Sequence, residues 1–104
     1  MEFIRTLEEF DARIGNGKHV VVISADWCGD CIFIKPFLPD IEAKFSEFCF
    51  SYVDRNELLD LCVDLNVFGI PSFLVFVDGV EVGRFVSKDR KTQAEIEEFI
   101  GSIG

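Results

Sequence analysis

Ala25-Asp26-Trp27-Cys28-Gly29-Asp30-Cys31 lies between an apolar run, His19-Val20-Val21-Val22-Ile23, and a helix-like run from Ile32 to Phe45. The two cysteines therefore sit at a strand-to-helix turn. In the first turn of a helix, free backbone N–H groups and the positive end of the macrodipole favour negative charge, so Cys28 ionises more readily than a free thiol. Residues three apart also share nearly one helix face, with about 5 to 6 Å between Cα atoms, the separation a disulfide requires. Cys31 can close on Cys28 without moving the backbone.

Working outward, Thr6-Leu7-Glu8-Glu9 has capping-box spacing, which predicts a first helix from Leu7 to Ile14. Gly15-Asn16-Gly17-Lys18 is a loop, and Val20 to Ile23 is a strand apolar on both faces, hence central. Beyond the cysteines, Ile34, Phe37, Leu38, Ile41, Phe45 and Phe48 mark one broad face of a long helix that Pro36 and Pro39 must kink. Phe48 to Val53 reads as the next strand, and Leu58, Cys62 and Leu65 as one face of a short helix. Ser72 to Val77 and Val80 to Val86 form a hairpin through Asp78-Gly79. A second capping box, Thr92-Gln93-Ala94-Glu95, heads a last helix with Ile96, Phe99, Ile100 and Ile103 on its apolar side.

With 104 residues the chain suffices for one domain spanning 1–104, and its 49% apolar content, including twelve phenylalanines, supplies a core without disulfide staples or structural metal. A net charge of −9, from ten Lys and Arg against nineteen Asp and Glu, excludes a phosphate-backbone partner. The opening residues lack the apolar segment of a signal peptide, and no run reaches membrane-spanning length. The expectation is a soluble cytoplasmic protein that binds neither nucleic acid nor membrane. In that reducing setting a Cys-x-x-Cys pair is catalytic or metal-binding more often than structural.

Trp27-Cys28-Gly29-Asp30-Cys31, Pro36 five residues beyond Cys31, Gly69-Ile70-Pro71-Ser72 and the Asp78-Gly79 hairpin together resemble the thioredoxin family, from about Phe3 to the C-terminus. The resemblance implies a thioredoxin fold of class α/β, a central mixed β-sheet of four to five strands flanked by about four helices. It implies a nucleophile at Cys28, a resolving thiol at Cys31, and a cis peptide between Ile70 and Pro71 whose backbone pairs with substrate. It further implies no bound cofactor beyond a redox-active Cys28–Cys31 disulfide. The partners it implies are disulfide-containing proteins or small thiols, with a thioredoxin reductase or another electron donor. Four places depart from the family pattern, one being Val86-Ser87-Lys88-Asp89, which offers no glycine where the family commonly has one beside the substrate groove. Asp30 stands where proline is usual, Val22 where an aspartate is buried, and Phe50 where a lysine partners it.

The chemistry expected is dithiol–disulfide exchange: Cys28 attacks a disulfide, and Cys31 resolves the mixed disulfide. Asp30 favours the helix N-terminus but disfavours a nearby thiolate. At roughly 7 Å and an effective dielectric of 20 to 80, the repulsion is about 0.6 to 2.4 kcal/mol. Asp26 adds to it if close. Alternatively, Asp30 handles the proton that the absent buried aspartate would. Trp27 is read as a docking and shielding residue beside Ile70 and Pro71, Ile32 and Phe33 as packing, with Ile32 alternatively widening an apolar landing surface, and His19 as solvated. Cys49 and Cys62 are read as small core residues. The competing readings are an interaction or redox-sensing module presenting Trp27, Ile70 and Pro71 to one partner, and a metal-binding domain. Zinc would need two further ligands, and neither a second Cys-x-x-Cys nor a His-x-His spacing is present.

Overall fold

A computed structural model describes residues 1–103. In chain order it contains β1 (Glu2–Ile4), α1 (Leu7–Ile14), β2 (Lys18–Ser24), α2 (Gly29–Ile34), a 3₁₀ turn (Lys35–Phe37), α3 (Leu38–Lys44), β3 (Cys49–Asp54), α4 (Leu59–Asp64), β4 (Ser72–Val77), β5 (Val80–Phe85) and α5 (Gln93–Ile103). The strands form one sheet in the order β1-β3-β2-β4-β5, with β1, β3 and β2 parallel and β4 and β5 antiparallel to their neighbours. This is the architecture that the resemblance implies. The edge strand β1 is an addition to the sequence reading. Of its three residues only Ile4 is buried, so it carries no alternation to detect.

Strand periodicity sorts the core into two layers. Val20 and Val22 of β2 and Phe50 and Tyr52 of β3 face Ile34, Leu38, Ile41, Ile96 and Ile100 of α2, α3 and α5. Val21, Ile23 and Val53 face Phe10, Ile14, Leu61 and Cys62 of α1 and α4 on the other side. Each fully buried isoleucine contributes about 1.5–3 kcal/mol relative to exposure.

The long helix is divided as the prolines require. Pro36 lies in the 3₁₀ turn and Pro39 is the second residue of α3, so each begins a segment where a missing N–H costs little. Both N-caps form, but only the second as a reciprocal box, since the Glu9 carboxylate accepts from the Arg5 N–H at 3.0 Å instead of from Thr6. Thr6 Oγ1 accepts from the Glu9 N–H at 3.1 Å, while Thr92 and Glu95 cap each other's backbone N–H at 3.2 and 3.0 Å.

Two expectations are corrected. Cys49 is exposed, because β3 begins there and its first residue falls outside the buried stripe. His19 is buried at 8% exposure: β2 extends back to Lys18, and His19 Nε2 pairs with the Asn16 carbonyl oxygen at 2.9 Å.

Candidate active site

Strand β2 delivers the chain to the site and α2 carries it away. Cys28 is the N-cap of α2, with extended backbone (φ −88°, ψ 123°), and its carbonyl accepts the Ile32 N–H at 3.0 Å. Its sulfur makes no capping hydrogen bond, so the helix end acts on it only through its field. Cys28 is half-buried and Cys31 buried; they lie 3.2 Å apart as free thiols. The Cys28 thiol donates to the Ile70 carbonyl at 3.8 Å, and the Ile70–Pro71 peptide is cis. Residues more than forty positions apart are thus brought together, as the two motifs predict.

Around Cys31 the environment is apolar with a few aimed polar groups. Burial pushes its thiol above the ordinary value of 9.0, outweighing hydrogen bonds from the Ser24 side chain and the Ala25 backbone that favour the thiolate. Ser24 continues the Val20–Val22 stripe of β2, and Tyr52 continues the Phe48–Phe50 stripe of β3. Both therefore lie on the sheet face that α2 covers. The family's usual acid and base positions are filled by the core residues Val22 and Phe50, at 0% and 4% exposure.

Asp30 is not the free charge that the sequence reading supposes. Its Oδ1 accepts from Arg90 Nε at 2.8 Å, and the Arg90 guanidinium lies 4.5 Å from the centre of the Phe33 ring. A counter-charge sixty residues downstream thus offsets the expected repulsion of a Cys28 thiolate. The next residue, Lys91, is 1% exposed and donates to the Ser87 and Asp89 carbonyls at 2.9 and 3.1 Å. Burial pushes its ammonium below the ordinary value, against the opposing pull of Asp30, Asp89 and Cys31. Neither Arg90 nor Lys91 is marked in the sequence, where they sit in the charged run Lys88-Asp89-Arg90-Lys91.

Trp27 is 61% exposed beside the cysteines, with the Arg55 guanidinium 5.9 Å from its ring centre. Ile32 and Phe33, expected to pack, are instead exposed, as is Phe68, and Ile70 is half-buried, so an apolar rim borders the pair. Gly29 faces open space, and Asp26 is exposed. Among the described residues, no group of three or more His, Cys, Asp or Glu side chains is arranged to hold a metal ion. No helix among them is long and apolar enough to cross a membrane.

The thioredoxin family model matches residues 2–102. The chain belongs to the thioredoxin family. It is 37% identical over 94 residues to a thioredoxin of Callithrix jacchus, covering 89% of each chain. It is 35% identical over 100 residues to that of Rattus norvegicus, covering 95% of each. The crystal structure of thioredoxin from Trypanosoma brucei brucei superposes with a TM-score of 0.87 over 97% of this chain and 88% of the other; at 20% identity the likeness is one of fold. The thioredoxin pair Cys28 and Cys31 makes this protein a thiol–disulfide oxidoreductase.

Proposed function

We propose that this thioredoxin reduces disulfides in a reducing compartment, the cytoplasm, with Cys28 as nucleophile and Cys31 as resolving thiol. Its substrates are protein disulfides and low-molecular-weight disulfides, and its electrons come from a thioredoxin reductase or a comparable dithiol donor. The observation that carries the assignment of roles is the asymmetry of the pair. Cys28 is half-buried and Cys31 is 3% exposed, so only Cys28 is open to an incoming disulfide.

The Cys28 thiolate attacks one sulfur of the substrate; the substrate S–S bond breaks and its other sulfur leaves with the electron pair. Cys31 then attacks the Cys28 sulfur, forming the intramolecular disulfide and releasing the second substrate thiolate. The substrate gains two electrons and the cysteine pair loses them. A dithiol donor restores the pair by the reverse exchange. No further group has to carry the electrons.

An extended peptide would lie over Trp27 and the Ile70–Pro71 segment, where the exposed apolar rim gives it area to bury. The net charge of −9 over the whole chain favours encounter with basic partners. Turnover of a disulfide-linked two-chain peptide with excess dithiothreitol tests the assignment. Cys28→Ser is expected to abolish it, and Cys31→Ser to stall as a stable mixed disulfide at Cys28. A mixed disulfide at Cys31 in the Cys28→Ser protein, formed at the wild-type rate, would reverse the roles. Trp27→Ala is expected to slow the peptide reaction by about tenfold, in the range of an interface aromatic, and the glutathione disulfide reaction much less.

A further inference from the structure

Resolution needs Cys31 as a nucleophile, yet its thiol is buried and held protonated by its surroundings. Its proton must leave on a path that the substrate, seated over Cys28, does not block. The structure contains one. A cavity of about 320 Å³ beside the motif is lined by Cys31, Ser24, Asp26, Ile32, Lys35 and Tyr52, whereas Trp27, Cys28, Ile70 and Pro71 are not among its walls. It is open to solvent at Asp26 and Lys35, which are exposed, and although its walls are largely apolar, the Ser24, Asp26, Lys35 and Tyr52 side chains on them give water the polar partners it needs to link these groups.

The charged and titratable groups near Cys31 come from several elements. Cys28 and Asp30 share its motif, Ser24 and Tyr52 reach it from β2 and β3, Lys35 lies one turn on, and Lys91 acts from the segment before α5. Two carboxylates stand near the Tyr52 hydroxyl, Asp26 and Asp54. Asp54 is engaged by the Asn56 N–H at 2.7 Å and does not line the cavity, whereas Asp26 lines the same cavity as Cys31. Asp30 is occupied by Arg90.

We propose that this cavity is the proton exit of the resolving step, with the Ser24 hydroxyl holding the Cys31 sulfur and the Asp26 carboxylate taking its proton. The Cys31 S–H bond breaks as its sulfur bonds to Cys28. The bond between Cys28 and the substrate sulfur breaks, and the substrate leaves as a thiolate with the electron pair. Asp26, now protonated, returns the proton to solvent through the cavity mouth. Tyr52 is a positioning residue that orients the Ser24 hydroxyl. The inference rests on the roles proposed for Cys28 and Cys31.

Stopped-flow reaction of the reduced protein with 5,5′-dithiobis(2-nitrobenzoate) separates the steps, in a Cys49→Ser background that removes the exposed thiol outside the site. A first equivalent of coloured thiolate reports attack by Cys28, and a second reports resolution by Cys31. In Asp26→Asn the second phase is expected to slow by about ten- to a hundredfold near neutral pH, at or below the low end of what positioned general bases supply. The difference should close at alkaline pH, where Cys31 ionises unaided. Ser24→Ala should move the second-phase profile to higher pH, and Tyr52→Phe should do so less. Asp26 is exposed, so its substitution leaves the fold intact. A second-phase profile unchanged in Asp26→Asn, lowered equally at every pH, or moved by Asp54→Asn instead would overturn the proton route while leaving the cysteine roles in place. Absence of a second phase at any pH in the wild-type protein would overturn the roles as well.

Discussion

At the scale of single residues, reactivity at Cys28 is a balance between two charges that the fold places side by side. Asp30 would oppose a thiolate, and Arg90 cancels it through an ion pair with 54% and 28% exposed side chains. Because the pair is exposed, its effect lies at the weak end, about 0.6 kcal/mol or roughly threefold in rate. Arg90→Ala is therefore expected to slow alkylation of Cys28 by iodoacetamide about threefold at low salt and less at high salt, and to do so in an Asp30→Asn background as well, because the guanidinium charge itself favours the thiolate. Slowing that does not change with salt would mean that Arg90 acts by packing on Phe33. The cysteines, Trp27 and Ile70–Pro71 were legible because their chemistry is written in short spacings. Arg90 and Lys91 were not, since their meaning comes from the packing of a segment sixty residues away against the motif. Nor was the burial of His19, which depends on β2 starting at Lys18 instead of Val20.

At the scale of elements, the site is the meeting of three connections: β2 into α2, α4 into β4, and β5 into α5. Their closeness is visible at Gly69, where an added Cβ would collide with the Ser87 carbonyl. Gly69→Ala is expected to destabilise the protein by about 1–3 kcal/mol in urea titration. It should also slow exchange, because the displaced loop carries Ile70. A substitution without effect on either would show that the loops are not in register with one another. The Thr92 cap gives an independent check. Its box is reciprocal, and Thr92→Ala is expected to cost about 1 kcal/mol without altering Cys28 alkylation. Helices and central strands were readable because caps, prolines and apolar stripes are local signals. The edge strand β1 was not, because its pairing with Ser51, Tyr52 and Val53 of β3 defines it and its own three residues do not.

For the molecule as a whole, the buried thiols make stability depend on pH. Burial raises Cys31 and Cys62 above their ordinary 9.0 and Tyr52 above 10.0. Their contribution is full below those values. As pH rises past them, the unfolded chain loses protons that the native state keeps, so stability falls until the native groups ionise. Lys91, lowered from 10.5, acts in the opposite sense just below that pH and offsets part of the loss. Urea titrations of the reduced protein are expected to show declining stability above about pH 9, with a shallower decline in Cys62→Ala, by at most about 1.4 kcal/mol per pH unit. An unchanged slope in that variant would show that Cys62 ionises alike in both states.

The central claim is that Cys28 and Cys31 form a reversible two-electron couple that works in the reducing direction. Its most direct test is the redox equilibrium of the pair against a dithiothreitol buffer, with Cys28→Ser as control. The account predicts a reversible couple near −270 mV, roughly the value known for thioredoxin itself, and none in the variant. A potential of about −180 to −120 mV, the range of isomerases and oxidants, would contradict the reducing direction, and no reversible couple would contradict the claim entirely.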